Sequence, residues 1–321
     1  MSLLLLTNSE DATSDFLEEY LKHQGISVIR LDTDKVYGNL NCCYCKGRPY
    51  IEGLTENVLF PDIVSAIVFR RPKPILIPDG IGDQFQRQHL VGEWSECIEG
   101  FLGHIPQHRW INHPTANYNA SHKMEQLSRA ILFDLKTPDT IITNKPEEMN
   151  SFWNKHLSKG IIAKTLASGW IERDAPAKDT MLHTVEIQSL NAALLEAVTT
   201  TPIILQEKIK KKVDVRVVVL DSSIVAIGLH CSENGIQRLD IRRDNMIDVQ
   251  YEPIKIPREI RDKILKLVKS YHLRFAAIDF AIDYDNSWIF FEINPNGQWA
   301  WLDIEGVSNI AEFFAKSLSG L

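Results

Sequence analysis

Two carboxylates and an amide near the C-terminal end carry the most chemical information in this sequence. From Phe275 to Gly297, two strongly apolar runs flank Asp285-Asn286, and acidic residues interrupt each run. The pattern reads as a β-hairpin with Asp285-Asn286 at the turn. With a two- or four-residue loop centred there, paired positions keep a constant index sum, which sets Asp279 directly opposite Glu292. Asn294, two residues beyond Glu292, points to the same face. Carboxylates facing each other with Cβ atoms about 4.5–5.5 Å apart destabilise a strand pair. A hard divalent cation, Mg²⁺ or Mn²⁺, offsets that repulsion and takes this ligand set, with phosphate oxygens completing its shell. The alternative is a solvated face where Lys or Arg pairs with the carboxylates, and a three-residue loop breaks the register. Ionised groups inside apolar strands favour the metal.

Cations sit in comparable surroundings. Lys164 closes Gly160-Ile-Ile-Ala-Lys, Lys123 opens the helix after the Pro114 loop, and Arg216 lies in Val213-Asp-Val-Arg-Val-Val-Val with Asp214 on the same strand face. Singly, each reads as an ordinary snorkelling lysine or ion-paired arginine. Beside a carboxylate-held metal they make a polyphosphate site, in which the metal bridges oxygens while Lys and Arg neutralise charge on transfer. Neither G-x-x-x-x-G-K-[ST] nor G-x-G-x-x-G follows the first strand, so another scaffold must hold a nucleotide.

The elements that position these residues fall into three stretches. Leu3 to Leu6 reads as a strand, and a helix capped by Asp11 or Ser14 places Phe16, Leu17, Tyr20 and Leu21 on one face. Gly25 stops it before a second strand, Val28 to Leu31, and this β-α-β opening predicts a parallel sheet. A third strand spans Ile63 to Phe69, a helix fills much of Asp83 to Leu102, and Asn112-His113-Pro114 reads as a strand exit into a loop. A helix through Met124 and Leu135, strand-like runs at Ile141-Ile142 and Gly160 to Leu166, and helices over 146–157 and 190–198 form a small α+β unit. The last stretch is β-rich over 202–209, 213–220 and 224–229. A helix over 257–272, the hairpin, and a final helix from Ile304 to Leu318 follow.

Composition sets the outer bounds. A chain of 321 residues accommodates two or three subdomains, and 44% hydrophobic with 24% charged residues excludes disorder. With 35 basic against 42 acidic residues the net charge is −7, which provides no broad basic face for nucleic acid or anionic lipid. No apolar run approaches the roughly 18 residues of a membrane helix, and the start lacks a signal peptide's core, so a cytoplasmic protein is expected. Cys42, Cys43, Cys45, Cys97 and Cys231 are odd in number and lack the second pair that zinc needs, which predicts buried or spectator thiols. His104 and His108 have helical spacing, but Pro106 between them disrupts that helix.

As a group these residues resemble the ATP-grasp superfamily, in which two α+β lobes clamp ATP. The resemblance spans the chain, with motifs from Lys123 to Trp301. It implies an α/β fold with an N-terminal pre-ATP-grasp β-α-β domain over 1–115, a central lobe over 116–200 and a C-terminal lobe with the metal site over 201–321. It also implies ATP binding by Lys123 and Lys164, and a hinge at Leu205-Gln206-Glu207-Lys208-Ile209 that meets adenine through backbone and ribose through a side chain. Asp214 becomes a further ribose contact, Arg216 the strand arginine, and Asp279, Glu292 and Asn294 the Mg²⁺ or Mn²⁺ ligands. More narrowly, Phe291-Glu-Ile-Asn-Pro-Asn-Gly-Gln-Trp-Ala-Trp-Leu302 and Val68-Phe-Arg-Arg-Pro72 resemble the microviridin-type, or graspetide, peptide ligases.

That narrower resemblance implies a ribosomal precursor peptide as partner, docked through its leader, and a homodimeric enzyme. An Asp or Glu side chain of the peptide is activated as an acyl phosphate. A Ser or Thr hydroxyl then closes an ω-ester ring, or a Lys amine an ω-amide ring. Arg216, with Arg242 or Arg243, stabilises the acyl phosphate. No enzyme nucleophile is required, which fits the lack of a Ser/His/Asp or Cys/His set. Arg70-Arg71 suits either an acidic substrate or surface ion pairs, and the stretch from Ser168-Gly169 to Lys178 resembles the loop that covers ATP. Competing readings are a free amino-acid or glutamate ligase of the superfamily, a small-molecule kinase, and a non-catalytic nucleotide- or peptide-binding module.

Overall fold

Near-continuous burial of Leu3 to Leu6 is the mark of a strand covered on both faces. In the computed structural model, which describes all residues except 1, 56–57, 168, 172–179, 233–234, 247 and 320–321, that strand is Ser2–Thr7. It lies in a parallel sheet ordered Val28–Asp32, Ser2–Thr7, Val64–Phe69, Trp110–Ile111. Strand alternation divides its leucines: Leu3 and Leu5 pack with Leu17 and Leu21 of the helix Ala12–His23. Leu4 and Leu6 pack with Ile98, Phe101 and Leu102 of the helix Gln84–Leu102.

Two local expectations are corrected, and one element is new. Pro114 opens a helix, Pro114–Ala120, and not a loop, because proline at the first helical turn gives up no needed N–H and His113 accepts from Thr115 N–H. The final helix is two, Ala300–Ile304 and Ile310–Ser319, broken where Gly306 takes φ +71°. An unforeseen hairpin, Asn41–Cys45 with Arg48–Glu52, turns at Lys46-Gly47, both with positive φ, and carries Cys42, Cys43 and Cys45. All five cysteines are free and none is fully buried.

Two larger antiparallel sheets follow, besides a two-stranded one of Trp170–Ile171 with Thr180–Met181. The central one is ordered Val185–Ile187, Ile161–Lys164, Ile203–Glu207, Thr140–Thr143, backed by Met149, Phe152 and Val198. The C-terminal one is ordered Gln250–Pro253, Ser223–His230, Lys211–Leu220, Phe275–Asp283, Trp288–Asn294. Its long strand Lys211–Leu220 organises the molecule. Val213, Val215, Val217 and Val219 face the helices Lys123–Leu132 and Arg258–Ser270, so the Lys123 helix packs with the C-terminal sheet. The alternate residues Val218 and Leu220 pack against Leu3, Leu5 and Val68 of the N-terminal sheet. Further along that second face stand Arg216 and Asp214. One strand face therefore passes from apolar core to charged cleft. No described helix is long and apolar enough to cross a membrane.

Candidate active site

Asp279 pairs with Glu292, by a route the index sum does not contain. Ile282 pairs with Trp288, and Asp283 N–H donates to Ser287 C=O, which leaves Tyr284, Asp285 and Asn286 as the loop, with Asn286 at φ +60°. Such a three-residue loop shifts the register by one. A bulge at Phe291 shifts it back, since Phe280 pairs with Phe290 while the adjacent Asp279 pairs with Glu292. On the other side Asp279 pairs with Arg216 of the neighbouring strand, whose Nη1 lies 2.8 Å from Asp279 Oδ1 but out of line for a hydrogen bond. Arg216, Asp279 and Glu292 thus form one row across three strands.

The donor set fits a hard cation. Asn294 Nδ2 stands 3.1 Å from Glu292 Oε1 and 3.5 Å from Asp279 Oδ2, so the amide bridges both carboxylates, and turning it over presents Oδ1 to the same point. Among the described residues no group of three or more His, Cys, Asp or Glu is arranged for a metal, so an ion here needs further ligands such as phosphate oxygens. Burial, opposed by Arg216 and reinforced by Glu292, pushes the Asp279 carboxyl up to about 6. Burial works the same way on Glu292, but Lys123, the Asn294 amide and Lys164 outweigh it and hold that carboxyl below its ordinary range. A third of the Asp279 side chain still opens to the cleft, as a ligand requires.

The strand end is held close to its neighbour by Gly297, where an added Cβ would come 2.4 Å from Ala277 Cβ and 3.2 Å from Asn294 Cβ. Gly297→Ala is expected to destabilise the fold by about 1–3 kcal/mol, as overpacking does. Urea unfolding checks this, and parental stability contradicts it.

The two sequence-singled lysines converge on the same cleft. Lys123 Nζ donates to Thr165 C=O at 2.9 Å, and Lys164 Nζ lies 4.8 Å from the centre of the Phe291 ring that the bulge turns beneath it. Burial lowers the Lys164 ammonium below its ordinary value against the pull of Glu292.

A cavity of about 560 Å³ opens between the central and C-terminal sheets, walled by Ile162, Lys164, Phe291 and the segment from Gln206 to Lys211, which contains most of the expected hinge Leu205 to Ile209. Backbone bonds fix the hinge, with Glu207 N–H donating to Asp139 C=O and Lys208 N–H to Gly160 C=O. The Glu207 carboxylate accepts from Asp139 N–H and pairs with Lys159, and Lys208 Nζ meets Glu186 at 2.6 Å. Gln206 is buried and donates to Thr140 Oγ1, while its Oε1 has no partner in the structure, and Ile209 adds apolar wall. Asp214 pairs with Lys211 at 2.7 Å, and burial raises its carboxyl despite that partner.

Arg242 and Arg243 stand across the cleft. Arg242 makes a two-point contact with Asp240 at 2.9 and 2.8 Å, and its charge is felt by Asp279 and Glu292. Arg243 lines the cavity and donates to Thr184 C=O at 2.8 Å. Sequence reading missed Lys211, Arg238 and Asp240. The first two line the cavity or pair beside it, and Asp240 accepts from Thr184 N–H of the opposite lobe. Ser168 and residues 172–178 of the expected covering loop lie outside the described residues.

Two sheets clamped about a hinge, a metal-ready carboxylate row and two lysines in the cleft define an ATP-grasp ligase. Residues 119–318 match the RimK-like ATP-grasp domain, and the chain belongs to that family, whose members use ATP with Mg²⁺. The fold is similar over its whole length to the Chryseobacterium gregarium RiPP-associated ATP-grasp ligase in complex with ADP and a leader and core peptide. That likeness has 27% identity, TM-score 0.88, and 100% and 97% of the two chains covered. It is similar also to macrocyclase MdnC bound with precursor peptide MdnA from Microcystis aeruginosa MRC, at 25% identity, TM-score 0.85 and 99% coverage of each chain. Macrocyclase MdnB from the same organism shares the fold, at 22% identity, TM-score 0.80, and 99% and 98% coverage. A sequence search of curated proteins gives no match.

Proposed function

We propose that this enzyme closes rings in a ribosomal precursor peptide, using ATP to activate Asp or Glu side chains. The observation that carries the reading is that similarity to the two peptide-bound ligases extends through the N-terminal sheet, beyond the 119–318 domain shared across the family. Domains over 1–115, 116–200 and 201–321, a cytoplasmic location and a homodimer belong to the same reading.

Asp279, Glu292 and Asn294 would hold Mg²⁺, which supplies charge neutralisation on the ATP phosphates when bound. The hinge Leu205–Ile209 offers backbone and apolar wall to adenine and a side chain to ribose, with Asp214 a further ribose contact. Lys123 and Lys164 bring two positive charges to the phosphate chain, where burial strengthens their effect. A peptide carboxylate oxygen attacks the γ-phosphorus and ADP leaves. The hydroxyl of Ser or Thr, or the amine of Lys, then attacks the acyl carbon, phosphate departs and the nucleophile's proton is released. Arg216, with Arg242 and Arg243 from the opposite side, stabilises negative charge on the acyl phosphate. Excluding water matters, because hydrolysis of that intermediate returns the starting peptide.

The test is intact mass spectrometry of a candidate precursor peptide incubated with enzyme, ATP and Mg²⁺. Each ring is expected to remove one water, about 18 Da, with release of ADP and phosphate. A stable phosphopeptide, or condensation of free amino acids with the peptide unchanged, would sink the proposal. Light scattering of the purified protein checks the dimer.

A further inference from the structure

The loop after the ligand strand, Pro295 to Gln298, is held from the N-terminal domain as well as by Asn117, whose Nδ2 donates to Asn296 Oδ1 at 3.1 Å. Asn112 Nδ2 donates to Pro295 C=O at 2.9 Å. Arg70, at the end of the strand Val64–Phe69, donates through Nη1 to Gly297 C=O at 3.0 Å and through Nη2 to Gln298 Oε1 at 2.6 Å. Gly297 N–H in turn donates to Asn294 C=O at 3.1 Å. Two contacts therefore separate Arg70 from a metal ligand.

The guanidinium is answered from the same domain. Its Nε lies 2.8 Å from Asp11 Oδ2, and the two side chains are only 4% and 1% exposed. Asp11 occupies the N-cap position of the helix Ala12–His23, yet its side chain makes no capping bond. The carboxylate accepts instead from Ser14 Oγ and Thr7 Oγ1 and pairs with Arg70. Gln298 joins the group by accepting from Thr13 Oγ1 and placing Nε2 3.5 Å from Asp11 Oδ1. Burying such a pair adds little net stability compared with apolar packing, whereas its fixed geometry constrains what it touches. What it touches is the segment leading back to Asn294.

We propose that Arg70, braced by Asp11 and acting through Gly297 and Gln298, is a positioning residue that sets Asn294 and Glu292 for the cation, making the N-terminal domain part of the metal site. This rests on the metal-site reading above. The partners of the Arg70 guanidinium are Asp11, Gly297 and Gln298, so Arg70-Arg71 divides: the first arginine is internal and the second is exposed.

The test titrates Mn²⁺ into the full-length enzyme with ADP, following free Mn²⁺ by electron paramagnetic resonance, for Gln298→Met, Asp11→Asn and Glu292→Gln. Gln298→Met keeps the volume and the Arg70–Asp11 pair and removes one of Arg70's two bonds to the loop, leaving the one to Gly297 C=O, so it serves if Asp11→Asn does not fold. Gln298→Met is expected to weaken Mn²⁺ binding about tenfold and lower kcat to match, while ADP affinity without metal stays within about twofold. A lowered melting temperature with parental Mn²⁺ affinity shows a merely structural role and overturns the proposal. If Glu292→Gln loses Mn²⁺ while Gln298→Met does not, this inference alone fails. Parental affinity in all three variants overturns the metal site as well.

Discussion

Glu292→Gln is expected to cut ATP-dependent turnover by about two to four orders of magnitude at saturating Mg²⁺, the equivalent of ~3–5 kcal/mol for breaking a buried charge group. The substitution preserves volume and the strand pair with Asp279 but removes the anion on which Lys123, Lys164 and the Asn294 amide act. It leaves those cations without their carboxylate and gives the ion one charged ligand in place of two. Asp279→Asn is expected to cost less in metal affinity. Arg216 Nη1, 2.8 Å from Asp279 Oδ1, already offsets part of that carboxylate's charge. Steady-state assays of ADP release across a Mg²⁺ series check the order. Parental turnover in both variants contradicts a metal held by this row.

Much of this site is local in sequence, and that is why it is legible. Asp279, Glu292 and Asn294 lie on two strands of one hairpin, so spacing alone brings them to one face. The route was less legible: the three-residue loop and the Phe291 bulge each offset the register by one, and only their cancellation restores the Asp279–Glu292 pair. Nothing in an index sum reports a bulge, although the loop's Asn286, suited to positive φ, was a signal for the three-residue turn. Arg216 could be singled out as a charge in an apolar strand, but its pairing with Asp279 depends on the register of strands far apart in sequence. Lys211 and Asp240 gave no comparable signal. Each sits among other charged residues, and only the folding of the 238–243 segment over the central sheet gives Asp240 its partner in Thr184. Arg70 and Asp11 show the same limit. An aspartate before a helix reads as a cap, and only tertiary structure shows its carboxylate turned to an arginine of another strand.

On the proposed function Arg216 has two separable roles, and substitution distinguishes them. Its guanidinium stands beside Asp279, with Glu292 next in the row, so Arg216→Met leaves two paired carboxylates without their adjacent cation. The metal-free variant is expected to melt below the parent and to regain much of the difference with Mn²⁺ and ADP, because the ion supplies the missing positive charge. Charge balance alone would then restore activity at saturating Mg²⁺. We expect otherwise: kcat should remain about 10²–10³-fold low, with KM for ATP little changed, because Nη1 is close to Asp279 but not directed at it and remains available to developing charge. Arg216→Lys keeps the charge and loses the planar fork, so it should recover the melting temperature more fully than kcat. Thermal melts with and without metal and ADP, set beside steady-state kinetics, separate the two effects. Full recovery of kcat in Arg216→Met at saturating Mg²⁺ would confine this arginine to balancing the carboxylates and leave Arg242 and Arg243 to stabilise the transferred phosphoryl group.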